Sequence, residues 1–353
     1  MTRMWRVPPS RAHRRTATVL AFLAVLLLLP GWSAGSAPVS APAQCREVTV
    51  PVKVGGYSGP ISGTLCAPKC ATSVQLLVHG FTYDRNYWDF PYRPEKYSYV
   101  RRANAEGYAT LAIDRLGEGR SGRPLSPFVT YDSNATAIHQ VVRALRDGKF
   151  GTSYRKVTLV GHSYGSVASY QVAGRYRDVD ALVITGGAHI VSAPNVTTLI
   201  VANSYPSMLD PKFRGQGRDP GYFTTLPGKR KVFFNEDNVE PGVLRTDERL
   251  KQSYALTELP TALPYTFRTE SKRINIPTFT INGTEDPFFC KGIEVADCRS
   301  ERALADFERP FYGPRAIVET ALVPGAGHDL NLERSAGSTF GRILDFVNRH
   351  VGA

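Results

Sequence analysis

Hydrophobic and polar positions beyond residue 43 fall into two rhythms, short apolar runs and stretches in which apolar residues recur every third or fourth position. Glu47 to Val54 and Ile61 to Cys66 alternate as strands do. Gly55-Gly56 and Ser58-Gly59-Pro60 between them supply turn chemistry, which predicts a hairpin centred near Tyr57. Apolar runs follow at Val74 to Val78, Ala109 to Ile113, Val157 to Val160, Ala181 to Ile184, Thr278 to Ile281 and Ala316 to Leu322. Each is too short for a helix and apolar enough to be buried on both faces. Between them, Ile138, Val141, Val142 and Leu145 fall at helical spacing, as do Phe340, Ile343, Leu344 and Val347. Strands alternating with helices imply a mostly parallel sheet covered on both sides. One interval breaks the rhythm. Residues 188–272 show no such strand and carry many prolines and aromatics, among them Tyr205, Phe213, Tyr222, Phe223, Phe233, Phe234 and Tyr254. A structureless loop of that length is improbable in a compact domain, so the interval is expected to be an inserted cap subdomain of short helices.

The start of the chain adds a compartment. Five arginines, a thirteen-residue apolar stretch from Ala17 to Leu29, and small residues after Pro30-Gly31 read as a secretory signal peptide over 1–43. Cleavage fits after Ala37 or Ala43. The apolar stretch falls short of the roughly 20 residues a membrane span needs, so no stable membrane anchor is expected after cleavage and the mature chain is expected outside the cell. The formal charge is +12, with 43 Lys and Arg against 31 Asp and Glu, and removal of the leader leaves +7. The remaining basic residues are dispersed. Their longest run, Lys229-Arg230-Lys231, reads as a solvated loop, and no nucleic-acid partner is expected.

Export turns cysteines toward structural bridges. Cys290 and Cys298 share one loop and are expected to pair; Cys45 and Cys66 flank the hairpin and favour a cross-strand bridge, with Cys66–Cys70 as the alternative. No cysteine has a His-containing motif around it, and the spacing offers no zinc site.

The chemistry is concentrated in three loops. Gly161-His162-Ser163-Tyr164-Gly165 follows a predicted strand and opens a predicted helix, which is the context in which G-x-S-x-G raises a strained serine above a sheet. A serine hydroxyl needs a base and an orienting acid, in the chain order Ser, acid, His. Asp286, after the strand Thr278 to Ile281, and His328, after Ala316 to Leu322, supply them. Glu285 competes for the acid role, and Asp286 is preferred for its place at the loop tip before Pro287. Asp329 reads as a support for the site or as a helix cap. The run His79-Gly80-Phe81 after Val74 to Val78 places the Phe81 amide, with that of Tyr164, as the oxyanion donors. His79 and His162 read as structural, fixing their loops. His189, at the exit toward the insertion, is a candidate for the pocket wall, and His139 has no motif around it. Tyr83 to Tyr92, with Trp88 and Phe90, and the aromatics of the insertion suggest an apolar acyl or alcohol pocket, with plain packing as the other reading.

Together these motifs resemble the α/β-hydrolase superfamily over nearly all of the mature chain. Asp114-Arg115-Leu116-Gly117-Glu118-Gly119-Arg120-Ser121-Gly122 also resembles the Gly-rich loop after the fourth strand of cap-bearing members. The resemblance implies an α/β-hydrolase fold with a mostly parallel eight-stranded sheet flanked by helices. A core of 44–187 and 273–353 would carry the cap, 188–272, after the sixth strand. It implies a Ser-His-Asp triad and neither cofactor nor metal, and a serine at the elbow argues against dehalogenases and epoxide hydrolases. The expected activity is cleavage of a small, apolar carboxylic ester. Acyl transfer, lactone hydrolysis and peracid formation share the triad, and a binding protein on the same scaffold stands outside catalysis. Asn134, Asn195 and Asn282 begin glycosylation sequons.

Overall fold

The computed structural model describes residue 2, residues 43–266 and residues 270–353. The signal-peptide reading therefore lies outside the described residues.

Among the described residues the strands are β1 (Gln44–Val54), β2 (Tyr57–Ala67), β3 (Ser73–Val78), β4 (Ala109–Ile113), β5 (Lys156–His162), β6 (Ala181–Thr185), β7 (Ser204–Pro206), β8 (Tyr222–Thr225), β9 (Tyr254–Ala255), β10 (Thr278–Gly283) and β11 (Val318–Val323). The helices are α1 (Pro94–Tyr97), α2 (Tyr99–Ala105), α3 (Tyr131–Arg146), α4 (Tyr164–Gln171), α5 (Ala193–Asn203), α6 (Pro241–Leu250), α7 (Glu258–Thr266), α8 (Glu301–Glu308) and α9 (Ala336–His350).

An eight-stranded sheet runs in the order β1-β2-β4-β3-β5-β6-β10-β11. Its first three strands pair antiparallel and the rest are parallel. This is the α/β-hydrolase architecture expected from the alternation of strand and helix. The sheet buries both faces, as the uninterrupted apolar runs require. From β3, Val74, Leu76 and Val78 pack with Ile138, Val141, Val142 and Leu145 of α3, whereas Leu77 packs on the other side with Phe340, Ile343, Leu344 and Val347 of α9. Both predicted stripes are thus core faces. Thr130 caps α3 by accepting from the Ser133 amide at 3.2 Å, and the Ser133 hydroxyl oxygen accepts from the Thr130 amide at 2.8 Å.

The hairpin turns at Gly55-Gly56, where Gly55 adopts a φ of +55°. It sets Cys45 directly opposite Cys66, and these two are bridged, as are Cys290 and Cys298. Cys70 is free and exposed. Between β6 and β10 the expected short helices, α5, α6 and α7, are joined by the antiparallel sheet β7-β8-β9. That sheet was not expected, because strands of two to four residues show no alternation. Arg230 also departs from expectation. It is buried, paired with Asp247 of α6, and its Nη1 donates to Thr82 Oγ1 at 2.8 Å, so the basic run is a tie to the core and only its flanks are solvated. Two sequon asparagines, Asn134 in α3 and Asn282 in β10, are buried, and Asn195 donates to the Pro287 carbonyl at 2.6 Å.

Candidate active site

Parallel strands deliver their following loops to one edge, and ligands bind where neighbouring strands diverge to opposite sides of the sheet. Here β3 is followed on one side by β4 and on the other by β5, and the loops after β3, β5, β10 and β11 carry His79 to Phe81, Ser163, Asp286 and His328.

Ser163 lies between β5 and α4 with φ 53° and ψ −122°. Such a conformation costs about 1–3 kcal/mol for a residue with a side chain and persists only when the surroundings enforce it. The surroundings are tight. A Cβ on Gly161 would lie 2.6 Å from Ser166 Cα, and one on Gly165 would lie 2.3 Å from the Val78 carbonyl oxygen. The turn presents Ser163 Oγ to His328 Nε2 at 2.8 Å, and His328 Nδ1 meets Asp286 Oδ2 at 2.8 Å. The other oxygen of Asp286 accepts from the amides of Phe288 and Phe289 at 2.8 and 3.2 Å. Glu285 instead reaches Lys291 near the surface. Burial by itself would lower the proton affinity of His328, but the charge and hydrogen bond of Asp286 outweigh it and raise the imidazole above its ordinary value, with Asp329 and Glu333 adding in the same sense.

Phe81 and Tyr164 stack at 4.4 Å between ring centroids. Tyr164 is the first residue of α4, so its amide has no carbonyl partner within the helix. The Phe81 amide belongs to the same planar peptide as the Gly80 carbonyl. That carbonyl oxygen lies 2.8 Å from His79 Nδ1 and accepts from Arg115 Nη2 at 3.4 Å. His79 Nε2 accepts from the Arg115 amide at 2.9 Å, so the ring proton sits on Nδ1 and donates to Gly80. His79 is structural, as expected, and its burial keeps it neutral.

His162 is buried and also serves the elbow. Its ring stacks on Tyr87 at 4.2 Å, Nδ1 lies 3.2 Å from Thr185 Oγ1, and Nε2 lies 3.0 Å from Asp329 Oδ1. Asp329 is therefore a support of the site and caps no helix, since α9 begins at Ala336 after Ser335. Nitrogen and oxygen atoms of His162, His328 and Asp329 lie within 4.8 Å of one another, a spacing a metal could bridge. The nitrogens concerned already meet Ser163, Asp286 and Asp329, so the group is a hydrogen-bond network whose donors and acceptors match one another.

A cavity of about 60 Å³ opens beside Ser163 and His328. Phe81, Tyr164 and Val167 line it, with Val191, Val196, Leu199, Phe233, Leu259 and Ala262 from the interval 188–272 and Phe288 and Phe289 from the loop after β10. The expected sources of apolar surface need correction. Tyr83, Trp88 and Phe90 belong to the buried core, and of the named aromatics of the insertion only Phe233 faces the cavity. His189 does not line it either: its Nδ1 lies 2.7 Å from buried Glu308, and its ring stacks on Phe311. His139 pairs with Asp178 at 2.6 Å and stacks on Tyr176.

Residues 75–337 match the family model described as the alpha/beta hydrolase family. The chain belongs to that family. Over 117 residues this alpha/beta hydrolase is 31% identical to epoxide hydrolase 3 of Xenopus tropicalis, a match that spans 33% of the chain and 28% of that relative. Its fold is similar to a carboxylesterase of Bacillus subtilis, with a TM-score of 0.56 at 16% identity over 86% of this chain and 92% of the other. An enol-lactonase of Burkholderia xenovorans gives 0.54 at 15% identity over 84% and 99%.

Sequence reasoning missed the buried ionisable groups around the site. Arg115 and Glu258 form an ion pair with both side chains wholly buried, joining the Gly-rich loop to the first residue of α7. The Arg115 guanidinium also lies 4.7 Å from the Tyr164 ring. Glu333 accepts from the amides of Gly327 and Asn235 at 2.9 and 2.7 Å, binding the His328 loop to the insertion, and burial pushes its carboxyl up to about 7. Only Arg115 stood in a motif; Glu258 and Glu333 have no local signal.

Proposed function

We propose that this alpha/beta hydrolase is a secreted serine hydrolase that cleaves a carboxylic ester with an apolar acyl or alcohol group. The observation that carries the reading is the continuous line Ser163 Oγ, His328 Nε2 and Nδ1, Asp286 Oδ2, with both contacts at 2.8 Å, on a serine in strained backbone. His328 takes the hydroxyl proton as Ser163 attacks the ester carbonyl, and Asp286 holds the ring in the tautomer whose Nε2 is free to accept. The amides of Phe81 and Tyr164 receive the oxyanion, in a peptide already turned by His79 and Arg115. The imidazolium then gives its proton to the leaving alcohol. A water deprotonated by His328 attacks the acyl carbon, and the acid departs with Ser163 restored. Residues 188–272 act as the cap that closes the apolar cavity, and no cofactor takes part. Two disulfides support secretion together with the leader.

Incubation of the mature protein with a fluorophosphonate and a series of p-nitrophenyl esters tests the reading. We expect a covalent adduct at Ser163 and turnover that depends on acyl length, both lost in Ser163→Ala with its thermal midpoint retained. Turnover by the purified variant would refute the mechanism. An adduct without turnover would move the substrate to a lactone or an acyl acceptor, and neither would favour a ligand-binding role.

A further inference from the structure

Asp329 is wholly buried beside the triad, yet the proposed reaction leaves it without a task. It is held from two sides. The Tyr83 hydroxyl donates to Oδ2, and His162 Nε2 lies 3.0 Å from Oδ1. Both partners are themselves fixed, Tyr83 beneath the Arg230 guanidinium at 4.4 Å and His162 against Tyr87. The Tyr83 hydroxyl on Oδ2 favours the ionised form, although burial draws its proton affinity upward. The His162 and His328 rings are 5.0 Å apart, and a carboxylate oxygen of Asp329 lies within 4.8 Å of a ring nitrogen of His328, although Asp286 is the carboxylate that bonds that ring.

We propose that Asp329 is a positioning residue for His328, a second carboxylate whose charge, fixed by Tyr83 and His162, stabilises the imidazolium formed when Ser163 gives up its proton. The inference rests on the triad reading above. In a water-poor site a charge at this range acts strongly without touching the ring. The other charged or titratable groups facing the pair are Asp286 from the loop after β10, Glu333 on the same loop as Asp329, and Arg230 with Asp247 from the insertion. Arg230 and Asp247 neutralise each other in a buried pair, which leaves Asp329 as a net charge on its side of the ring.

The test is the pH dependence of kcat/KM for wild type, Asp329→Asn and Tyr83→Phe, each checked for an unchanged circular dichroism spectrum. Loss of the charge makes His328 a weaker base, so its neutral form persists to lower pH. We expect the acid limb of Asp329→Asn to move down by about one pH unit and the plateau to fall roughly threefold to tenfold. Tyr83→Phe removes one donor and keeps the carboxylate, so its limb moves the same way by less; it decides the matter if Asp329→Asn does not fold. Limbs that stay at the wild-type position, even with lower activity, would overturn the proposal and leave Asp329 a packing element. A wild type that takes no fluorophosphonate at any pH would instead defeat the triad reading.

Discussion

Replacing Glu258 by Gln removes one charge from its buried pair with Arg115 and changes little else. In the native arrangement Glu258 accepts from Arg115, from Asn134 Nδ2 at 3.0 Å and from the Ala255 amide at 3.0 Å, so both its oxygens face donors. A glutamine amide would offer one acceptor and point an NH2 group at a donor, and the Arg115 charge would stay buried without its partner. Breaking a buried pair from one side costs about 3–5 kcal/mol. With an unfolding entropy of about 2.1 cal/mol/K per residue, a folded chain of about 310 residues loses roughly 5–8 °C of thermal midpoint for that amount. Differential scanning calorimetry at pH 7 reads the shift. A midpoint within about 2 °C of wild type would show that Arg115 finds compensation elsewhere and would refute a stabilising role for the buried pair.

Further outcomes follow from the same geometry. His328 must be neutral to accept from Ser163, and Asp286 raises its proton affinity, so kcat/KM should be lost as pH falls through a value above that of an ordinary histidine; a limb at or below about 6.5 would contradict the raised imidazole. Ala262→Trp, in the lining of the cavity, should shift the preferred p-nitrophenyl ester to shorter acyl chains with the labelling rate of Ser163 preserved; an unchanged chain-length profile would place the acyl group elsewhere. Replacing Cys290 and Cys298 together by serine opens an eight-residue loop and should cost about 2.5 kcal/mol by the loop-entropy argument. Because the amides of Phe288 and Phe289 in the adjoining turn hold Asp286, kcat should fall with KM less affected, a split read from initial rates.

The parts of this molecule visible in its sequence are those enforced locally. The turn around Ser163 needs glycines at 161 and 165 because any Cβ there meets backbone, and that need is written in five consecutive residues. Asp286 and His328 could be singled out because a hydroxyl nucleophile requires partners after later strands, and the structure brings both into line with Ser163. Contacts between distant, individually ordinary residues were hidden. Glu258 opens an unremarkable helix, and its meaning appears only when Arg115, 143 residues earlier, lies against it. Tyr83, Trp88 and Phe90 left two readings open for a related reason, since an aromatic run reads alike whether it faces a ligand or a core, and the structure places them in the core. The small sheet β7-β8-β9 was missed because its strands are too short to alternate.

Residues 188–272 supply partners for buried ionisable groups of the Gly-rich loop. Arg115 takes its partner from α7, and buried Glu118, its carboxyl raised to about 8 by burial, accepts from Ser253 at 2.9 Å with Arg218 at 4.0 Å. Grafting onto this scaffold an insertion from another hydrolase, in the hope of importing its specificity, would strand both groups inside the protein. A viable chimera must exchange the Asp114 to Gly122 loop along with residues 188–272, so recombination at this site works with paired segments whose bonded partners lie 135 and 143 residues apart.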